Sequence, residues 1–76
     1  MEFEMLQKVI VEVLNVDMSE VNAETKFKED LGADSLDIYQ IVLGIEEAFD
    51  IEISEEDAQT INTVGEAFSF IQNARD

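Results

Sequence analysis

Gly32-Ala33-Asp34-Ser35-Leu36-Asp37 closes a loop and opens the longest helical pattern in the chain, which runs to about Asp50. At 100° per residue, Ile38, Ile41, Val42, Ile45, Ala48 and Phe49 share one face, the spacing of a helix with one side in a core. The opposite face carries Asp37, Gln40, Gly44 and Glu47, and also Leu36 and Leu43, with Tyr39 at the edge of the apolar stripe. One surface leucine needs no explanation. Two on one face, rimmed by acids and beginning beside Ser35, have the composition of a partner contact: an apolar centre with a charged rim.

Ser35 stands at the mouth of this helix. Helix N-termini carry unpaired backbone N–H groups and a partial positive charge, so a phosphate on Ser35 would meet donors. Asp34 and Ser35 are also good N-cap residues, and capping alone accounts for both. The residues by themselves leave the two explanations open.

Working outward, the spacing predicts a first helix from Glu2 to about Asn15, with Phe3, Leu6, Val9, Ile10, Val13 and Leu14 on its inner stripe and Glu2 and Glu4 suited to its N-terminal dipole. A long connection follows from Val16 to Asp34, with a possible helical turn at Ser19–Asn22. Val16, Val21, Phe27 and Leu31 are its apolar anchors, and a loop of this length needs such anchors to pack. Gly32 is free to take positive φ and aim the chain into the next helix. Beyond Asp50, Ser54-Glu55-Glu56-Asp57 is the start of a short helix reaching about Thr60, with Ala58 and Ile61 inward and Ile53 leading in. Thr63-Val64-Gly65-Glu66 is a capping box opening the last helix, whose inner residues are Val64, Ala67, Phe68 and Ile71, a stripe that Ala74 can extend, with Phe70 off its centre. The expected architecture is all-α: one domain spanning 1–76, a small bundle of three longer helices plus one short helix.

Composition removes whole classes of function. The 76 residues hold no histidine and no cysteine, which excludes disulfides, a thiol nucleophile and the usual zinc and iron sites. A catalytic Ser35 needs an adjacent base. The only lysines are Lys8, Lys26 and Lys28, the pattern puts none of them beside Ser35, and ordinary carboxylates are weak bases for a hydroxyl. There is no Gly-rich nucleotide loop, and the run from Asp30 fails the calcium-loop pattern, with glycine at its third position and Ser35 where glycine is required. No metal site is expected.

The net charge is −15, and between Glu29 and Asp57 no lysine or arginine interrupts the acids. Nucleic acid and anionic membrane are poor partners for such a surface, whereas a basic protein face is a good one. No apolar run reaches membrane-spanning length, and the N-terminus lacks the basic flank of a secretory signal, so a cytoplasmic monomer is expected.

Glu29-Asp30-Leu31-Gly32-Ala33-Asp34-Ser35-Leu36-Asp37, followed by Glu46-Glu47-Ala48-Phe49 and by Ile53 and Ile61-Asn62-Thr63-Val64, resembles the acyl carrier proteins of type II fatty acid synthesis over nearly the whole chain. The resemblance implies that Ser35 is esterified by 4′-phosphopantetheine, taken from coenzyme A by a separate phosphopantetheinyl transferase. That tips the balance from capping to chemistry, and the arm brings the thiol the chain lacks. It implies a docking face of Asp34, Leu36, Asp37, Leu43, Glu46, Glu47 and Glu56 for fatty acid synthesis enzymes with basic patches. It also implies an acyl pocket lined by Phe27, Ile45, Ile53, Ile61 and Ala67, all of them ordinary core residues in the bare pattern. Gln40 stands where the family usually has an acid, Tyr39 replaces a smaller aliphatic, Leu43 often reads as Met, and Ser54 takes a position where Pro is frequent. A carrier of the same fold for polyketide, aminoacyl or D-alanyl cargo is the nearest rival. An acidic helical adaptor or inhibitor, which would need the negative face but not Ser35, is the rival from another class.

Overall fold

The computed structural model describes residues 2–75. Four α-helices follow in order, α1 (Glu2–Leu14), α2 (Ser35–Phe49), α3 (Glu55–Thr60) and α4 (Val64–Arg75), with a 3-10 turn at Met18–Glu20. The all-α architecture is the expected one. It encloses a core in which Leu6 and Ile10 of α1, Ile41 and Ile45 of α2, and Val64, Ala67 and Ile71 of α4 are buried. Burying each of these leucine, isoleucine and valine side chains contributes about 1.5–3 kcal/mol relative to exposure. Phe3 of α1 meets Phe68 of α4 edge to face, with ring centroids 5.2 Å apart.

The helix ends are set by local chemistry. Asn15 turns left-handed (φ 57°) and its N–H closes on the Val11 carbonyl, ending α1. Asp50 does the same for α2, at φ 56° with its N–H on the Glu46 carbonyl. The Ser54 hydroxyl accepts the Asp57 N–H at 3.1 Å to open α3. The Thr63 hydroxyl accepts the Glu66 N–H at 3.1 Å while the Glu66 carboxylate accepts the Thr63 N–H at 2.9 Å, a complete capping box at the start of α4.

The long connection is tied down by backbone and side chain together. Gln7 of α1 donates to the Val21 carbonyl at 2.7 Å. Thr25, the buried polar residue of the loop, donates to the Glu20 carbonyl and accepts from the Asn22 N–H, so its burial leaves no hydrogen bond unmade. Phe27 N–H donates to Asn62 O, Val64 N–H to Thr25 O and Gly65 N–H to Ala23 O, which staples the loop along the entry to α4. Val21 and Phe27 are buried, while Val16 and Leu31 are half-buried against the core.

Three placements depart from the periodic pattern. Ala48, expected on the core stripe of α2, is exposed, and Ala74, a possible inner residue of α4, is exposed too. Gly44, expected on the outward face, lies against α1: a Cβ there would come within 2.8 Å of Val9 Cγ1. The cause is common to Gly44 and Ala48. α1 crosses one flank of α2, so the buried arc is shifted from where apolarity alone centres it.

Candidate functional site

Ser35 is positioned by the loop before it. Gly32 takes φ 68°, a conformation that glycine adopts without steric cost. The N–H of buried Ala33 then donates to the Phe27 carbonyl at 2.9 Å, which fixes the approach of the chain to α2. The cap of α2 is Asp34. Its carboxylate accepts the Asp37 N–H at 2.9 Å, and the Asp37 carboxylate accepts the Asp34 N–H at 3.2 Å. Ser35 is therefore the first residue inside the helix. It is exposed, and among the described residues its hydroxyl makes no hydrogen bond. The N–H of Ile38 is satisfied by the Asp34 carbonyl. The Ser35 and Leu36 N–H groups have no acceptor within the helix and face the space in front of it.

The structure brings Ser35 to the rim of a groove of about 270 Å³ that runs between α2 and α3. Lys28 and Tyr39 stand on the same groove, with Ile38, Ala58 and Ile61 deeper in its wall. Those three residues also line a small apolar cavity of about 10 Å³, together with Phe27, Ile45 and Ala67. A void of that size holds about one water. The groove and the cavity share these three wall residues, so the apolar cavity lies directly behind the groove on which Ser35 stands. A wider, open hollow of about 890 Å³ lies on the other side, along Phe3, Phe68 and Phe70, and does not include Ser35.

Four of the five expected pocket residues, Phe27, Ile45, Ile61 and Ala67, meet at this cavity. Ile53 does not. It is buried, but it borders a shallow surface hollow with Glu46 and Asp57. The Glu46 carboxylate accepts the Ile53 N–H at 2.8 Å and ties that residue to α2 at this hollow. No sequence pattern placed a lysine near Ser35, yet the folded loop brings Lys28 to the same groove. A lysine ammonium has no lone pair with which to take a proton, so Lys28 supplies charge there rather than a base.

On the outer face, Leu36, Tyr39 and Leu43 are exposed at 63%, 60% and 42%, a run of apolar side chains beginning one residue after Ser35. Asp34, Glu47 and Glu56 are exposed around it, while Asp37 and Glu46 are half-buried and engaged with backbone N–H groups. Among the described residues no group of three or more acids is arranged to hold a metal ion, and no helix is long and apolar enough to cross a membrane.

Residues 4–71 match the phosphopantetheine attachment site family. The chain is 52% identical over 71 residues to an acyl carrier protein of Sulfurovum sp. (strain NBC37-1), covering 93% of this chain and 95% of that one. The chain belongs to the acyl carrier protein family. A second carrier, from Solidesulfovibrio magneticus, is 49% identical over 72 residues, covering 95% of this chain and 92% of its own. A solved structure from Mycobacterium tuberculosis, assigned as an acyl carrier protein, superposes with a TM-score of 0.87 at 35% identity, covering 93% of this chain and 95% of that one. Acyl carrier proteins are carriers and not enzymes, and they hold their cargo through covalent 4′-phosphopantetheine while synthesis enzymes act on it. The carrier's free, exposed serine hydroxyl at a helix N-terminus, beside an elongated groove, suits that group in reactivity and in space.

Proposed function

We propose that Ser35 is the residue that carries 4′-phosphopantetheine, and that residues 1–76 act as a monomeric, cytoplasmic carrier domain of type II fatty acid synthesis. The observation that carries this reading is the division of labour at the start of α2. Asp34 caps the helix, so the Ser35 hydroxyl is left exposed and unpartnered. In the loading step the Ser35 oxygen bonds to the phosphorus of the phosphopantetheine half of coenzyme A. The phosphoanhydride bond breaks, and adenosine 3′,5′-bisphosphate leaves. The hydroxyl proton goes to a base of the transferase, since this chain has no histidine to take it. When bound, the arm supplies the thiol on which acyl groups are held as thioesters.

The chain's own residues then have two tasks. Leu36 and Leu43, rimmed by Asp34, Glu47 and Glu56, present an apolar contact inside a negative field. Basic enzyme faces would be attracted quickly and released quickly. Asp37 and Glu46 add their charge to this field from within their hydrogen bonds. The track through Ile38, Ala58 and Ile61 to Phe27, Ile45 and Ala67 leads an acyl chain between the helices. At about 10 Å³ the cavity must widen to admit more than one water-sized group, by outward movement of α3, the shortest helix, against α2.

The test is intact mass after incubation with coenzyme A and a broad-specificity phosphopantetheinyl transferase, for the wild type and Ser35→Ala. One added phosphopantetheine on the wild type alone is expected. A gain on Ser35→Ala, or none on the folded wild type, would overturn the assignment.

A further inference from the structure

We infer that Lys28 is a positioning residue for the phosphodiester formed on Ser35, seating the start of the arm in the groove between α2 and α3. The inference rests on Ser35 being the attachment residue. Lys28 is exposed and stands on the same groove as Ser35. Of the other lysines, Lys8 pairs with Glu4 at 3.8 Å and Lys26 with Glu29 at 3.3 Å. Among the described residues Lys28 holds no carboxylate within 4.0 Å, so its charge is uncommitted.

The need for a cation there follows from its neighbours. A phosphodiester keeps one negative charge at neutral pH. On Ser35 that charge would lie between the carboxylates of Asp34 and Asp37 and across the groove from Glu55. The helix N-terminus offers the Ser35 and Leu36 N–H groups, but the two capping carboxylates already draw on the same partial positive charge. No lysine or arginine occurs from Glu29 to Asp57, so Lys28 is the cation the chain places on this groove. An ion pair from Lys28 would draw the phosphodiester toward the groove rather than out into solvent. The arm would then start along the track that ends at the apolar cavity.

The test uses isotope-labelled protein loaded with phosphopantetheine, wild type and Lys28→Gln, with loading on Ser35 first verified by mass. Amide resonances are compared before and after loading at low salt, and the ³¹P resonance of the loaded proteins is compared between variants. In the wild type, loading is expected to shift the amides of Gln59 and Asn62 across the groove. In Lys28→Gln the ratio of seated to free arm should fall about two- to fivefold, the range an exposed ion pair supports. Lys28→Arg should restore it, and raised salt should bring the wild type down to the level of Lys28→Gln. Equal loading shifts in wild type and Lys28→Gln, with both fully loaded, would overturn the role of Lys28 alone. Failure to load Ser35 would overturn the attachment reading, and this inference with it.

Discussion

The carboxylate of Glu46, on α2, accepts the backbone N–H of Ile53, in the loop before α3, at 2.8 Å. One acid thereby joins the face expected to meet partners to the segment leading into α3, whose Ala58 lines both the groove and the cavity. Glu46→Ala should lower stability by about 1–2 kcal/mol, because a charge-assisted bond to a part-buried N–H is lost. Glu46→Gln, which keeps an acceptor, should cost less. Urea denaturation of the two variants measures both. Equal stability of all three proteins would show that the loop holds its place without the bond.

Asp34 and Asp37 bond reciprocally across the first turn of α2. Asp34→Ala should cost about 1 kcal/mol, the usual loss for a deleted N-cap. The pair should also be non-additive. Once Asp34 is gone, removing Asp37 should cost little more, because each side chain serves the other's backbone. A thermodynamic cycle over the two single variants and the double variant tests this.

Glu47 is exposed and has no hydrogen bond among the described residues, which makes it a cleaner probe of docking than Asp37 or Glu46. Glu47→Lys should slow transfer of phosphopantetheine by several-fold at low salt, with the difference fading as salt screens the long-range field. Melting temperature should barely change. A rate that is unaltered at low salt would remove Glu47 from the docking face.

At Gly44 α1 packs closely on α2, with Val9 Cγ1 2.8 Å from the place of an added Cβ. Alanine gains about 1 kcal/mol over glycine in helix propensity, yet Gly44→Ala should destabilise, because Val9 is stiff at χ1 and half-buried. In a Val9→Ala background the clash is removed, and Gly44→Ala should become stabilising. Thermal unfolding of the four proteins measures the reversal of sign.

Glu66 receives the N–H groups of Asn62 and Thr63 on one carboxylate oxygen, at 3.0 and 2.9 Å. These two bonds, the Asn62 bond first, hold its pKa below the ordinary value of 4.5. A carboxylate depressed by folding contributes stability that is present above its unfolded pKa and lost as pH falls through its folded one. The stability gap between wild type and Glu66→Gln should therefore be full above about pH 4.5 and close below it. Chemical denaturation at a series of pH values reads the gap directly. Subtracting the variant cancels the relief of self-repulsion that both highly acidic proteins feel in acid.

Much of the site was legible because it is local. The period of Ile38, Ile41, Val42, Ile45 and Phe49, the capping residues Ser54 and Thr63, and the placement of Ser35 at the mouth of α2 all depend on neighbours within a few positions. Leu36 and Leu43 were recognisable as misplaced apolar residues for the same reason, and both are exposed. The choice between Asp34 and Ser35 as cap was harder, since both residue types suit the role. It took the observed bond between Asp34 and the Asp37 N–H to assign the cap to Asp34.

What the sequence alone determined, then, is the set of helices, the negative charge, the absence of histidine and cysteine, and the place of the Asp34-Ser35-Leu36 motif at the start of the second helix. Each follows from side-chain chemistry and from backbone periods of a few residues. Only the tertiary structure decided that Gly44 lies against Val9, that Ile53 stands outside the cavity and that Lys28 shares a groove with Ser35. Those three depend on how α1 crosses α2, on the bond from the Ile53 N–H to Glu46, and on how residues 23–27 are bonded to residues 62–65. Contacts between segments far apart in the chain are chosen by the packing of the whole core, and a periodic pattern in one segment carries no record of which neighbour will cover it.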